Sequence, residues 1–219
     1  MQVTEKIKIT NEDNMTLMGR YPDNYFDLAI VDPPYGGNDA INLKNNITKG
    51  KQATKRKNYH SFENEFPSIE YFNELFRVSK NQIIWGVNFY PYEFLTGGRL
   101  VWDKKGTAFG RAELAYLSMT KSVDIVEIQW NGMLQEDMKN KEIRIHPTQK
   151  PVLLYKYLLD KYLIKKGGKT VLDTHLGSAS IAIACHDYEV ELIGCEKDEI
   201  HFNNSIKRVM NHINQLKLF

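Results

Sequence analysis

Thr170-Val171-Leu172-Asp173, the loop Thr174-His175-Leu176-Gly177-Ser178-Ala179, and Glu191-Leu192-Ile193-Gly194-Cys195-Glu196 decide how this chain folds. The first and third are short apolar runs that each end in an acid, with a helical stretch over 180–186 between them and a longer one over 198–217 after them. This order is a β-α-β-α unit, and its right-handed crossover brings both strand ends to one rim of a parallel sheet. A ligand lying across that rim meets Asp173 and Glu196. Glu196 follows Asp173 by 23 residues, near the roughly 20-residue spacing of an acid that holds ribose hydroxyls. A dinucleotide fold would also need a glycine-rich turn to cradle a pyrophosphate. The loop offers Gly177 alone, which suits a nucleoside ligand without phosphates.

Outward from this unit, Pro151 starts a helix through Tyr162, and Gly167 with Gly168 stops it. Just upstream, His146-Pro147-Thr148-Gln149-Lys150-Pro151 is held extended by two prolines, so its polar groups either reach the same rim or form an elaborate helix cap. Strands are expected over 6–10, 27–32, 82–87, 99–102 and 124–131. Helices are expected around 15–18, over 67–80 with Phe72, Leu75 and Phe76 on one face, and over 112–120. An aromatic segment, Asn88-Phe89-Tyr90-Pro91-Tyr92, sits between two strands. The expected fold is a single α/β domain spanning 1–219, with a Rossmann-like sheet, mostly parallel with an antiparallel edge strand, and helices on both faces.

The chain has 219 residues, enough for one sizeable domain with an ample core. Its 42% hydrophobic and 26% charged content is ordinary for a soluble protein. No apolar run reaches the roughly 18 residues needed to span a membrane. The segment Met1-Gln2-Val3-Thr4-Glu5-Lys6 lacks the regions of a signal peptide, so the cytoplasm is the expected compartment. Cys185 and Cys195 fit neither a redox pair nor a zinc knuckle, and with scattered histidines no metal is expected. The net charge is +2, but Lys44, Lys49, Lys51, Lys55, Arg56 and Lys57 crowd one stretch without an acid. This stretch, within 36–66, reads as a mobile basic loop able to hold a phosphate backbone.

That loop follows Asp32-Pro33-Pro34-Tyr35, which stands directly after the apolar run Leu28-Ala29-Ile30-Val31. An acid and a proline turn after a strand are common in α/β proteins, yet this tetrad also has the chemistry to activate an exocyclic amine. The lone pair of such an amine is delocalised into the ring. If Asp32 and the Pro33 carbonyl each accept one N–H, the nitrogen becomes tetrahedral and aims its lone pair at a methyl donor. Two prolines give a stiff segment with outward carbonyls and no competing donor. Tyr35 offers a flat face to a base extruded from a duplex.

Taken together, in this order, these segments resemble the permuted, β-class family of DNA amino-methyltransferases, in which the catalytic motif precedes the cofactor motif. The resemblance spans nearly the whole chain. It implies S-adenosylmethionine as cofactor, with Asp13, Asp32, Thr148, Gln149, Lys150, Asp173, His175, Gly177, Ser178 and Glu196 around it. It also implies a flipped base in double-stranded DNA as substrate, with adenine N6 favoured over cytosine N4 because cytosine-specific relatives more often carry Ser in place of Asp32. The family loop usually reads D-P-F-x-G-S-G; here His175 replaces its aromatic, and Ala179 replaces its last glycine, which requires a negative φ at Ala179. Enzymes acting on RNA or protein amides usually carry Asn in place of Asp32 and place the cofactor motif first; a catalytically silent nucleic-acid-binding subunit is the reading from another class. A short target is expected, because only 36–66 and a small insertion over 107–144 remain for recognition. A homodimer and a cognate restriction endonuclease are left open.

Overall fold

Leu28, Ala29, Ile30 and Val31 are all buried, Leu28 and Ile30 in one apolar cluster and Ala29 and Val31 in another. A strand covered on both faces belongs in the middle of a parallel sheet with helices on either side. The computed structural model describes residues 1–36, 65–106, 110–130 and 134–215. In it the strands are β1 (Ile7–Asn11), β2 (Leu28–Val31), β3 (Gln82–Trp85), β4 (Gly98–Asp103), β5 (Ala112–Leu117), β6 (Val123–Glu127), β7 (Thr170–Asp173) and β8 (Glu191–Glu196). They form one sheet in the order β1-β8-β7-β2-β3-β5-β4-β6. The helices are α1 (Asn14–Met18), α2 (Ile69–Val78), α3 (Val152–Tyr162), α4 (Ser180–Asp187) and α5 (Glu199–Ile213).

Leu154 and Leu158 of α3, Ile181 of α4 and Val209 of α5 close over the Leu28 and Ile30 face. Leu17 and Met18 of α1, with Phe72 and Leu75 of α2, cover the Ala29 and Val31 face. The helix α2 begins where Ser68 accepts the Tyr71 amide, and α5 begins where Asp198 accepts the His201 amide, so side-chain oxygens satisfy amides that a first turn leaves open. No helix among the described residues is long and apolar enough to cross a membrane.

The sheet corrects three expectations. Residues 112–120, expected to be helical, contain β5, which pairs antiparallel with both β3 and β4; cross-strand pairing outweighs the helix propensity of its Ala, Glu and Leu residues. The reversed strand is therefore β5 itself, and it lies inboard of β4 and β6 rather than at the edge. The chain passes from β3 to β4 and then returns as β5 between them. Pro151 is the residue preceding α3, extended at φ −69° and ψ 149°, not its first helical residue. Within the segment 107–144, β5 and β6 belong to the sheet.

The pair β7 and β2 positions the site. These strands run parallel, with Leu28 opposite Val171 and Ala29 opposite Leu172. From β7 the chain passes through α4 to β8 on one side, and from β2 through α2 to β3 on the other. Where successive connections diverge, a crevice opens at the carboxyl ends of the strands.

Candidate active site

A cavity of about 1070 Å³ opens over that crevice. This is at the upper end of the roughly 300–1000 Å³ common for ligand pockets. Both sequence-derived halves of the site border it.

On the β7 and β8 side, Gly177 adopts φ +53° and donates its amide to Glu196 Oε2 at 2.9 Å, while Glu196 Oε1 accepts the Asp198 amide at 3.0 Å. The acid thus ties its own strand end to the loop, and burial raises its pKa. A Cβ on Gly177 would lie 3.6 Å from the His146 ring, so the turn packs on the segment before α3. Asp13 caps α1 by accepting the Met15 amide at 2.9 Å and faces the same cavity. His175 is linked to Asn14 at 3.1 Å and to Thr174 at 3.0 Å, and Thr174 meets the Tyr71 hydroxyl at 2.7 Å. Burial lowers the His175 pKa to about 4, so its imidazole is neutral at physiological pH.

Asp173 is placed differently from its neighbours. It lies beneath the cavity floor, 2% exposed, with Oδ1 accepting the His175 amide at 2.9 Å. Burial raises its pKa to about 8, against the opposing pull of that amide. Its contact is with the loop rather than with the cavity. Gln149 also spends its side chain locally, accepting the Ile145 amide at 2.9 Å, although it borders the cavity. Thr148 bonds His146 Nδ1 through its hydroxyl at 3.1 Å, and the Ser178 hydroxyl meets Ser180 at 3.1 Å.

The Asp32 to Tyr35 tetrad leaves β2 on the other side of the crevice. The Tyr35 hydroxyl donates to Asp32 Oδ1 at 2.5 Å, and the Lys150 ammonium pairs with Asp32 Oδ2. Lys150, expected on the cofactor side, therefore reaches the tetrad. It also lies 3.1 Å from Glu113 Oε2 on β5, whose other oxygen pairs with Lys104. Burial opposes charge on Lys150, but Asp32 and Glu113 hold its pKa above the ordinary value. Burial likewise opposes charge on Glu113, and Lys150 with Lys104 overcomes it. The result is an alternating row of two carboxylates and two ammonium groups.

Tyr35 stacks on Phe89, with ring centroids 4.9 Å apart and planes at 15°. It also packs so tightly on Gly86 that a Cβ there would fall 2.1 Å from its ring, at a φ of +74°. Glycine is required at that position. The Tyr90 hydroxyl donates to the Pro33 carbonyl at 2.9 Å. Sequence reasoning missed Glu113, Phe89 and Tyr90 as site residues. The aromatic cluster over 88–92 was visible as a pattern, but only the loop after β3 brings it to the tetrad. The basic residues Lys44, Lys49, Lys51, Lys55, Arg56 and Lys57 lie outside the described residues. Among the described residues no group of His, Cys, Asp and Glu could hold a metal ion.

Residues 84–207 match the model of a family described as DNA methylase, acting at N6 and N4 amino groups. The chain belongs to this DNA methylase family. The matched span runs from β3 into α5 and includes Glu113, Lys150, the 173–179 loop and Glu196; the Asp32 tetrad lies upstream of it. The solved structure of the PvuII DNA methyltransferase, titled cytosine-N4-specific, superposes with a TM-score of 0.59 at 11% identity, over 96% of this chain and 93% of that one. M1.HpyAVI in complex with SAM superposes with a TM-score of 0.53 at 18% identity, over 92% and 98%. TTHA0409 of Thermus thermophilus, a putative DNA modification methylase, gives 0.53 at 12% identity, over 95% and 96%. At such identities the likeness concerns the fold. No curated sequence matches the chain.

Against the usual loop of this methylase family, the structure overturns one expectation. Ala179, which stands where the family usually has glycine, adopts φ 55° and ψ 32° as the residue preceding α4, and it is fully buried. A side chain is accommodated in a left-handed conformation there, at a cost of roughly 1–2 kcal/mol.

Proposed function

We propose that this methylase transfers a methyl group from S-adenosylmethionine to the N6 amino group of an adenine flipped out of double-stranded DNA. The observation that carries the reading is the Asp32 tetrad and the Gly177–Glu196 turn facing one cavity from opposite sides of the crevice between β2 and β7. Glu196, Gly177 and the His175 ring would hold the nucleoside part of the cofactor, with Asp13 near its adenine and Asp173 bracing the loop from below. S-adenosylmethionine supplies an electrophilic methyl group. The M1.HpyAVI structure titled as a SAM complex supports this choice of cofactor.

The chain's own residues then act on the amine. Asp32 Oδ1 receives a hydrogen bond from the Tyr35 hydroxyl, and the amine of a flipped base would replace that donor while the Tyr35 ring keeps its stack on Phe89. The Pro33 carbonyl accepts the second N–H. With both hydrogens held, the nitrogen lone pair points out of the ring plane toward the methyl donor. Asp32 need not act as a strong base, because the nitrogen loses a proton readily once methylation makes it cationic. Lys150 and Glu113 keep the Asp32 carboxylate in place. The basic run from Lys44 to Lys57 would hold the DNA backbone; replacing Lys55, Arg56 and Lys57 with neutral residues should flatten the salt dependence of DNA binding, and an unaltered slope would reject that role.

The preference for adenine rests on the aspartate at position 32. Cytosine N4 is the second reading, favoured by the superposition on the PvuII enzyme titled cytosine-N4-specific. Methylation-sensitive sequencing of DNA from cells expressing the wild-type protein or Asp32→Ala decides between them. N6-methyladenine at a recurrent site, lost in Asp32→Ala, is the expected result. N4-methylcytosine would overturn the adenine reading, and no modified base would overturn both.

A further inference from the structure

We infer that Tyr90 is a positioning residue for methyl transfer, its hydroxyl holding the Pro33 carbonyl in the direction from which that carbonyl receives the target amine. The inference rests on the roles proposed for Asp32 and Pro33 and extends them to a side chain outside the tetrad. The ladder between β2 and β3 ends with Val31 opposite Ile84. Beyond it, Pro33 and Pro34 have no N–H to donate, so the sheet cannot anchor this stretch through its amides. The orientation of the Pro33 carbonyl needs another restraint, and Tyr90 supplies one at 2.9 Å.

Tyr90 is itself fixed. It is 7% exposed and meets Phe72 edge-on at 5.4 Å and Tyr35 edge-on at 6.4 Å. The flanking residues of the same aromatic segment are tied down too: Phe89 stacks on Tyr35, and the Tyr92 hydroxyl donates to the Pro67 carbonyl at 2.8 Å. Burial, and then the nearby Asp32 charge, raises the Tyr90 pKa, so the hydroxyl remains a donor across the physiological range. A carbonyl oxygen has two lone pairs. Tyr90 takes one and leaves the other for the amine, with the direction of both set by a packed ring.

Tyr90→Phe removes the donor and keeps the ring. The test is single-turnover transfer of tritiated methyl from S-adenosylmethionine to unmethylated plasmid DNA, with wild type, Tyr90→Phe and Asp32→Ala side by side. A displaced acceptor of about 1 Å costs on the order of 100-fold in rate, so a fall of about 10- to 100-fold is expected for Tyr90→Phe. The dissociation constants for S-adenosylmethionine and DNA should stay within about two-fold and the melting temperature should fall by no more than about 4 °C for the lost hydrogen bond, so the loss falls on the transfer step and not on binding. A Tyr90→Phe rate within about two-fold of wild type, beside an inactive Asp32→Ala, would overturn the role of Tyr90 alone. A loss fully explained by weaker cofactor or DNA binding would do the same. A wild-type protein that methylates no DNA, or an Asp32→Ala as fast as wild type, would remove the underlying reading and this inference with it.

Discussion

The Lys150 ammonium and the Asp32 carboxylate, 118 residues apart in the chain, form an ion pair at the heart of the cavity. The pair joins the segment before α3 to the end of β2, and Glu113 adds β5 as a third attachment. The lysine side chain is 2% exposed, so solvent does little to screen the interaction. Removing one member of a buried pair leaves its partner's charge uncompensated, which typically costs about 3–5 kcal/mol.

Lys150→Met should therefore lower stability by about 3–5 kcal/mol, because both Asp32 and Glu113 lose a counter-charge, and should abolish methyl transfer. Urea unfolding followed by circular dichroism reads the first effect. A loss below about 1 kcal/mol, typical of an exposed pair, would contradict the buried arrangement.

The Lys150 placement also marks how far the sequence could be read. The 170–196 unit was legible because short apolar runs, an intervening helical stretch and glycines punctuate it plainly, and the tetrad was legible from its residue types. The segment Ala112-Glu113-Leu114-Ala115-Tyr116-Leu117 was not, since its local propensities suit a helix and only its pairing with Ile83 and Leu100 on neighbouring strands makes it extended. With β5 misread, Glu113 could not be placed beside Lys150. Asp173 reads from sequence as a ligand contact because it ends a strand at the rim. The amide of His175, two residues on, draws its carboxylate under the loop instead. The β5 and Glu113 placements rest on contacts between segments distant in the chain, and Ala179 on a backbone angle, which residue type alone does not encode.

Ala179 tests backbone strain. It is fully buried at φ 55°, whereas Ala182, equally buried, lies within the right-handed helix α4. At a helical position, Ala182→Gly loses both helix propensity and a packed methyl, roughly 2 kcal/mol together. At position 179, which lies before the helix, only the packed methyl is lost, and that loss is offset by relief of about 1–2 kcal/mol of left-handed strain. Ala179→Gly should thus leave stability within about 1 kcal/mol of wild type, while Ala182→Gly lowers it clearly. Urea midpoints of the two variants provide the comparison, and equal losses would argue against strain at Ala179.

Asp173 links stability to pH. Burial raises its pKa from 3.8 to about 8 in the folded protein, so the native state holds this proton more tightly than the unfolded chain does. The stabilisation from that proton is full below pH 3.8 and is lost as the pH rises toward about 8. Asp173→Asn keeps the shape and has no proton to release, so it should escape this decline. Its stability relative to wild type should climb between about pH 4 and pH 8 and level off above. The check is urea unfolding of both ligand-free proteins from pH 5 upward, taking the difference at each pH so that titrations common to both cancel. Parallel curves across the range would mean that Asp173 is ionised in the folded protein, and that the His175 amide stabilises its charge more than burial opposes it.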